Sequence, residues 1–160
     1  MKRYEFPCLA LKPRWAREIF MGEKHWEFRL RPLPLHLPMA VYESAPTKRI
    51  TGAVMFDSIV AARPAELVGM LSGLGLALID FRGARPGSIT LGELTDYARG
   101  GTVFAHHVAD ARSVFGLVGV GVGRVPKPPQ CWGTATALLT RTDAALVEAV
   151  GVSLTEVRAP

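Results

Sequence analysis

The sequence predicts an α+β fold, a mixed and barrel-like β-sheet with helices set between its strands. Three observations carry this expectation. Short stretches with strand spacing recur along the chain, one alternating cleanly at 24–31 and one apolar on both faces at 50–61. Between strands lie segments with helical spacing and clear punctuation, Pro13 to Gly22 and Thr90 to Gly101. No internal repeat or interior linker divides the 160 residues, so 1–160 is expected to be one domain.

The elements follow in order. Residues 5–11 (EFPCLAL) predict a short strand, with Pro7 favouring an edge or a strand start. A helix should run from Pro13 to about Gly22, with Trp15, Ala16, Ile19 and Phe20 on its apolar side and Arg14, Arg17 and Glu18 on the other. In 24–31 (KHWEFRLR), Trp26, Phe28 and Leu30 should point one way and His25, Glu27, Arg29 and Arg31 the other, giving a half-buried strand with a charged face. A Pro-rich loop (Pro32, Pro34, Pro38) leads to a strand at 39–45 and then to a central strand at 50–61. Pro64 starts a helix reaching at least Leu71, and 80–88 reads as a loop. Thr90 and Glu93 form a capping box for a helix over 91–99 that ends at Gly100-Gly101. A strand is expected at 102–109, extending as far as Val114, and another in the Gly/Val-rich 115–125. KPPQCW (127–132) is a constrained extended segment. A last helix, about 143–150, is expected to be capped by Thr142 and closed by Gly151.

Apolar residues make up 49% of the chain, which places it among globular rather than disordered sequences. Its two cysteines, Cys8 and Cys131, form neither a disulfide framework nor a metal spacing, so a reducing compartment is expected. The opening MKRYEFPC lacks the apolar core of a signal peptide, and the longest uncharged apolar stretch (67–79) is too short and Gly-rich to span a membrane. The expectation is a soluble cytoplasmic protein. The net charge of +5 is concentrated in residues 1–50, which hold ten Lys/Arg against five acids, while the remainder is balanced at nine and nine. A local basic surface suits a phosphate-bearing partner, and a solvated basic face accounts for it as well.

Chemistry concentrates in three places. Lys24 sits at a helix–strand corner, and Glu27 and Arg29 lie on one strand face two residues apart. Together they offer a cation, a carboxylate for proton transfer or a base edge, and a planar fork, although an edge strand decorated by a salt bridge would look the same. In 41–52 (VYESAPTKRITG), Tyr42 and Ser44 share a strand face and Lys48 follows the Pro46 turn, offering hydroxyls and an amine; an ordinary hairpin with a packed Tyr fits too. In Pro128-Pro129-Gln130-Cys131-Trp132, Trp132 has a face on which a base could stack, or it serves as a packed core residue. Other patterns fail. Gly119, Gly121 and Gly123 are not followed by a helix, so the dinucleotide fingerprint is absent. His106 and His107 are adjacent on a strand and point to opposite faces, one of them into the core. With no HExxH or CxxC, neither a metal nor a cofactor is expected.

G-x-K-x-x-E-x-R directly after a short amphipathic helix, here Gly22, Lys24, Glu27 and Arg29, resembles the signature of the ASCH family of the PUA-like superfamily. Val41, Tyr42, Ser44, Pro46, Lys48, Ile50 and Gly52 match a second segment of that family, V-Y-x-S-x-P followed by a basic residue and I-x-G. Family members usually carry Ser where this chain has Cys131, which puts a catalytic role there in doubt. The resemblance implies a PUA-like mixed β-barrel with surrounding helices and a motif core over about 8–132; residues 133–160, with the helix expected at about 143–150, form a C-terminal extension beyond it. It implies RNA or a nucleoside or nucleotide as partner. In an RNA- or nucleobase-recognising cleft, the contacts would come from Lys24, Glu27, Arg29, Arg31, Tyr42, Ser44, Lys48, Arg49, Gln130, Cys131 and Trp132. In the alternative, a hydrolase on the same cleft (a ribonuclease, or an amidohydrolase of N4-acylated cytidine), Lys24 or Lys48 would activate or stabilise charge, Glu27 would act as acid/base or base-edge contact, and Tyr42 would donate to an oxyanion.

Overall fold

A computed structural model describes residues 1–73 and 89–158. The elements are β1 (Lys2–Leu11), α1 (Pro13–Phe20), β2 (Trp26–Arg29), β3 (Met39–Glu43), β4 (Arg49–Ala62), α2 (Pro64–Gly73), α3 (Leu91–Ala98), β5 (Val103–Ser113), α4 (Phe115–Val118), β6 (Trp132–Leu139), α5 (Arg141–Ala149) and β7 (Thr155–Val157). The α+β expectation holds, and β4 is central as its two-sided apolar run requires. The expected loop at 80–88 lies outside the described residues.

The strands form one mixed sheet in the order β2-β5-β4-β3-β1-β6, with β7 also paired to β1. β1 and β3 run parallel; the other pairings are antiparallel. The sheet is not closed, so the expected barrel holds only loosely. Two isolated bridges, Ile50 to Val122 and Arg124 to Leu138, join the segment after α4 to β4 and β6. That segment corrects the expected strand at 115–125: Phe115–Val118 turns as a short helix, and Gly119 follows at φ 72°. A left-handed glycine there breaks the extended path that a strand needs.

Three apolar clusters cover the sheet. Phe6, Cys8, Ala40, Tyr42 and Ile50 pack with Val147 and Val150 of and beside α5. Leu9, Leu11, Met39, Val41 and Phe56 pack with Ala16 and Ile19 of α1. Trp26, Phe28, Val103 and Ala105 pack under Leu67 and Leu71 of α2 and Leu94 and Ala98 of α3. Trp15 touches the last two clusters and so stands at their junction.

Several boundaries differ from expectation for local reasons. β2 is buried on both faces, because Glu27 and Trp26 are 4% and 3% exposed, while Leu30, expected on the Trp26 face, lies beyond the strand and is exposed. Glu18, expected on the polar side of α1, is buried. α5 is capped by Thr140, whose hydroxyl accepts the Asp143 N–H at 3.0 Å, so Thr142 lies inside the helix. β6 and β7 were not anticipated.

Candidate functional site

The ending of α1 positions the first site residue. Gly22 adopts φ 73°, and its N–H donates to Ile19 O at 3.1 Å. The Glu23 N–H donates to Glu18 O at 2.9 Å, completing the two-bond Schellman ending that a left-handed glycine allows. Glu18 O accepts a third N–H, that of Lys24, at 3.0 Å. Lys24 is thereby fixed at the corner immediately before β2.

Its side chain turns inward and meets Glu27. Lys24 Nζ donates to Glu27 Oε2 at 2.6 Å and to the Trp26 carbonyl. It also stands 5.4 Å from the Trp15 ring centroid and 5.3 Å from that of Phe28, within cation–π range of both. Arg29 Nε donates to the other Glu27 oxygen at 2.8 Å, Nη2 donates to Ala10 O at 2.8 Å, and Nη1 reaches Cys131 Sγ at 3.5 Å. One carboxylate thus lies between two cations, with all three groups largely out of water.

This arrangement sets how firmly each group holds its proton. Burial opposes the charge on Glu27, but Lys24 and Arg29 together outweigh it and hold the carboxyl below its ordinary range. Burial also works against the Arg29 charge, and attraction to Glu27 overcomes it, raising the guanidinium further. Lys24 is left with the surplus. Burial pulls its ammonium below the lysine range, Glu27 opposes only in part, and Arg29 repels it. Of the two cations, Lys24 is therefore the one that holds its proton less firmly than usual, since guanidinium does not deprotonate.

The triad forms one side of a cavity of about 440 Å³, within the size of small-molecule sites. Ala10 and Leu11 of β1, Lys12 and Trp15 at the start of α1, and Phe28 line it with the triad. Ser44 and Gln130 come from two separate loops, and Ile89, Glu93 and Tyr97 come from α3 and the residues before it. α3 holds its place through the anticipated capping box, with Glu93 N–H on Thr90 Oγ1 and Thr90 N–H on Glu93 Oε2. Arg14 lies over the Trp15 ring at 4.2 Å and reaches Glu93 at 3.5 Å, linking α1 to α3 across the cavity wall.

Of the residues expected in the site, Lys24, Glu27, Arg29, Ser44 and Gln130 meet in this cavity. Cys131 stands behind Arg29, half-buried, at the distance given above. Tyr42 does not line the cavity; it is buried with Phe6 and Cys8 in the cluster beneath. Lys48 and Arg49 are exposed on and after the Pro46 turn, Arg31 is exposed beyond β2, and Trp132 is exposed on β6. None of these four lines the cavity. The sequence reasoning missed Trp15, Glu93 and Tyr97 as walls. The i, i+4 spacing of Glu93 and Tyr97 was a usable signal that they share one face of α3. It also missed Glu18, whose buried Oε2 has no hydrogen-bond partner among the described residues and whose charge acts on Lys24.

No protein-family model matches the chain, and no curated protein matches it with significance. Among solved structures, an ASCH protein from Zymomonas mobilis aligns with a TM-score of 0.59 at 20% identity, over 92% of this chain and 95% of that one. A serine-to-alanine variant of that protein aligns at 0.57 and 21%, over 92% and 96%, and a tyrosine-to-phenylalanine variant at 0.58 and 20%, over 92% and 98%. The resemblance carried by Gly22, Lys24, Glu27 and Arg29 thus extends to three dimensions, and the chain has the fold of an ASCH protein.

Proposed function

We propose that the cavity takes a single nucleobase, as a free nucleoside or an extruded base, and hydrolyses an acyl group from its exocyclic nitrogen. The observation that carries this is the Lys24 amine, buried against Glu27 at 2.6 Å inside the cavity. A lysine that serves only to attract phosphates keeps its charge and its access to water. This one is desolvated and holds its proton less firmly than an ordinary lysine, which favours a general-base role. Aromatic side chains of Trp15, Phe28 and Tyr97 suit a planar ligand, and Ser44 and Gln130 bring polar side chains to the same space.

In this reading the free amine of Lys24 takes a proton from water, and the oxygen adds to the acyl carbon. The C–N bond then breaks, the proton passes to the departing nitrogen, and the products are the free base and a carboxylic acid. Glu27 stabilises the ammonium formed midway, and Arg29 keeps Glu27 ionised. Incubation with N4-acylated cytidine, chromatographic product analysis and a Lys24→Met variant test this. The expected result is release of cytidine, with a loss of about 10²–10⁴-fold in the variant. An unchanged rate in folded Lys24→Met overturns it.

A second reading, binding of RNA by the surrounding surface, is favoured by Arg31, Lys48 and Arg49. All three are exposed, and among the described residues none pairs with an acid. The association of the ASCH family with RNA supports it as well. Binding of this kind weakens steeply with salt, whereas turnover of an uncharged nucleoside does not.

A further inference from the structure

His106 lies on β5 directly opposite Glu27 in the β2–β5 ladder, and it is fully buried. Its ring makes two hydrogen bonds of opposite sense. The Leu33 backbone N–H is 2.9 Å from Nε2, and the Glu27 backbone O is 3.1 Å from Nδ1. A backbone N–H only donates, so Nε2 must present a lone pair. A carbonyl only accepts, so Nδ1 must carry the hydrogen. Only the neutral, Nδ1-protonated tautomer satisfies both.

We infer that His106, held in this tautomer, is the positioning residue that fixes Glu27, and through Glu27 the Lys24 amine, at the wall of the cavity. Packing of Trp26 and Phe28 under α2 and α3 holds the apolar side of β2, and His106 anchors its main chain at Glu27. The strand is four residues long and stands at the sheet edge with β5 as its neighbour in the ladder. His106 ties the main chain at Glu27 to the loop at Leu33, closing a loop of chain around Arg29. The Phe56 ring, 5.6 Å away between centroids, packs on the imidazole from β4. The charged groups acting on the ring are Glu27, Arg29 and Lys24. A second proton on Nε2 would face the Leu33 N–H and break that bond.

This inference rests on the proposed role of Lys24 but is read without any substrate. Two measurements test it. In wild-type protein, nitrogen NMR of His106 should show Nδ1–H with bare Nε2, with no titration near the ordinary histidine value of about 6.5. In His106→Leu, the pH dependence of Lys24 reductive methylation, followed by mass spectrometry, should move further downward from the ordinary lysine value of about 10.4, because a displaced Glu27 no longer supports the ammonium while burial still opposes it. His106→Gln retains one donor and one acceptor and should stay nearer to wild type. The opposite tautomer, an ordinary histidine titration, or an unmoved Lys24 profile in folded His106→Leu each overturns the positioning role. If His106→Leu does not fold, the wild-type tautomer and titration decide. Absence of nucleoside hydrolysis with the expected NMR and labelling results would sink the proposed reaction alone.

Discussion

Lys24 and Glu27 hold each other at 2.6 Å with side chains only 4% and 5% exposed, yet they depend on each other unequally. Glu27 has Arg29 as a second partner at 2.8 Å, whereas among the described residues Lys24 has no carboxylate partner besides Glu27 within ion-pair distance. Removing the carboxylate strands two buried cations. Removing the lysine leaves a paired carboxylate and arginine.

Glu27→Ala should therefore destabilise the fold by about 3–5 kcal/mol. Lys24→Met should cost clearly less, since a Met side chain can rest against Trp15 and Phe28 without leaving an unpaired charge. Urea denaturation of the two variants checks the order; equal losses would contradict it.

Stability should fall on the acid side of neutrality, and His106 should cause the first part of the fall. Burial lowers its folded pKa below the ordinary 6.5, so between that value and the folded one the unfolded chain binds more protons. Stability then declines as pH drops through this window. Glu27 adds to the decline below about 4.5, its folded pKa being lowered as well. Lys24 acts at the alkaline end. Its lowered pKa is a penalty at neutral pH that fades as pH rises toward 10.5. Melting temperatures from pH 8 to 4 should show a shallower first decline in His106→Gln than in wild type.

The corner between α1 and β2 was legible in the sequence because its determinants are local. Pro13 starts the helix, Gly22 ends it, and the period of two places Glu27 beside Arg29. The rest of the site was not legible, because its walls come from distant elements. Alternation puts Tyr42 and Ser44 on one strand face, but it does not say that β3 stops at Glu43. Tyr42 packs with Phe6, while Ser44, past the strand end, reaches the cavity. Glu18 looked solvent-facing from its helical position, yet it is buried in the fold. β6 escaped notice because its inward residues are Ala135, Ala137 and Leu139, of which only the last is a strong apolar signal.

The start of α5 offers a direct comparison between two threonines. Thr140 accepts the Asp143 N–H, and Thr142 lies two residues further along. Thr140→Ala should cost about 1 kcal/mol. Thr142→Ala should be neutral or slightly stabilising, alanine being the better helix former. Thermal denaturation of both variants checks the cap assignment.

Gly52 connects the sheet to the cavity through α1. A β-carbon there would sit 2.2 Å from the Arg112 backbone O and 2.6 Å from Phe20 Cζ. The carbonyl belongs to β5, the ladder partner of β4, so it cannot withdraw without breaking the pairing. Phe20 is the last residue of α1, two before the Gly22 turn that sets Lys24. Gly52→Ala should therefore destabilise by about 1–3 kcal/mol through overpacking. It should also disturb the Lys24 corner although it lies outside the cavity lining. A melting curve combined with the pH profile of Lys24 labelling separates the two effects. A variant as stable as wild type with an unshifted profile would show that α1 does not transmit strain from the sheet to the site.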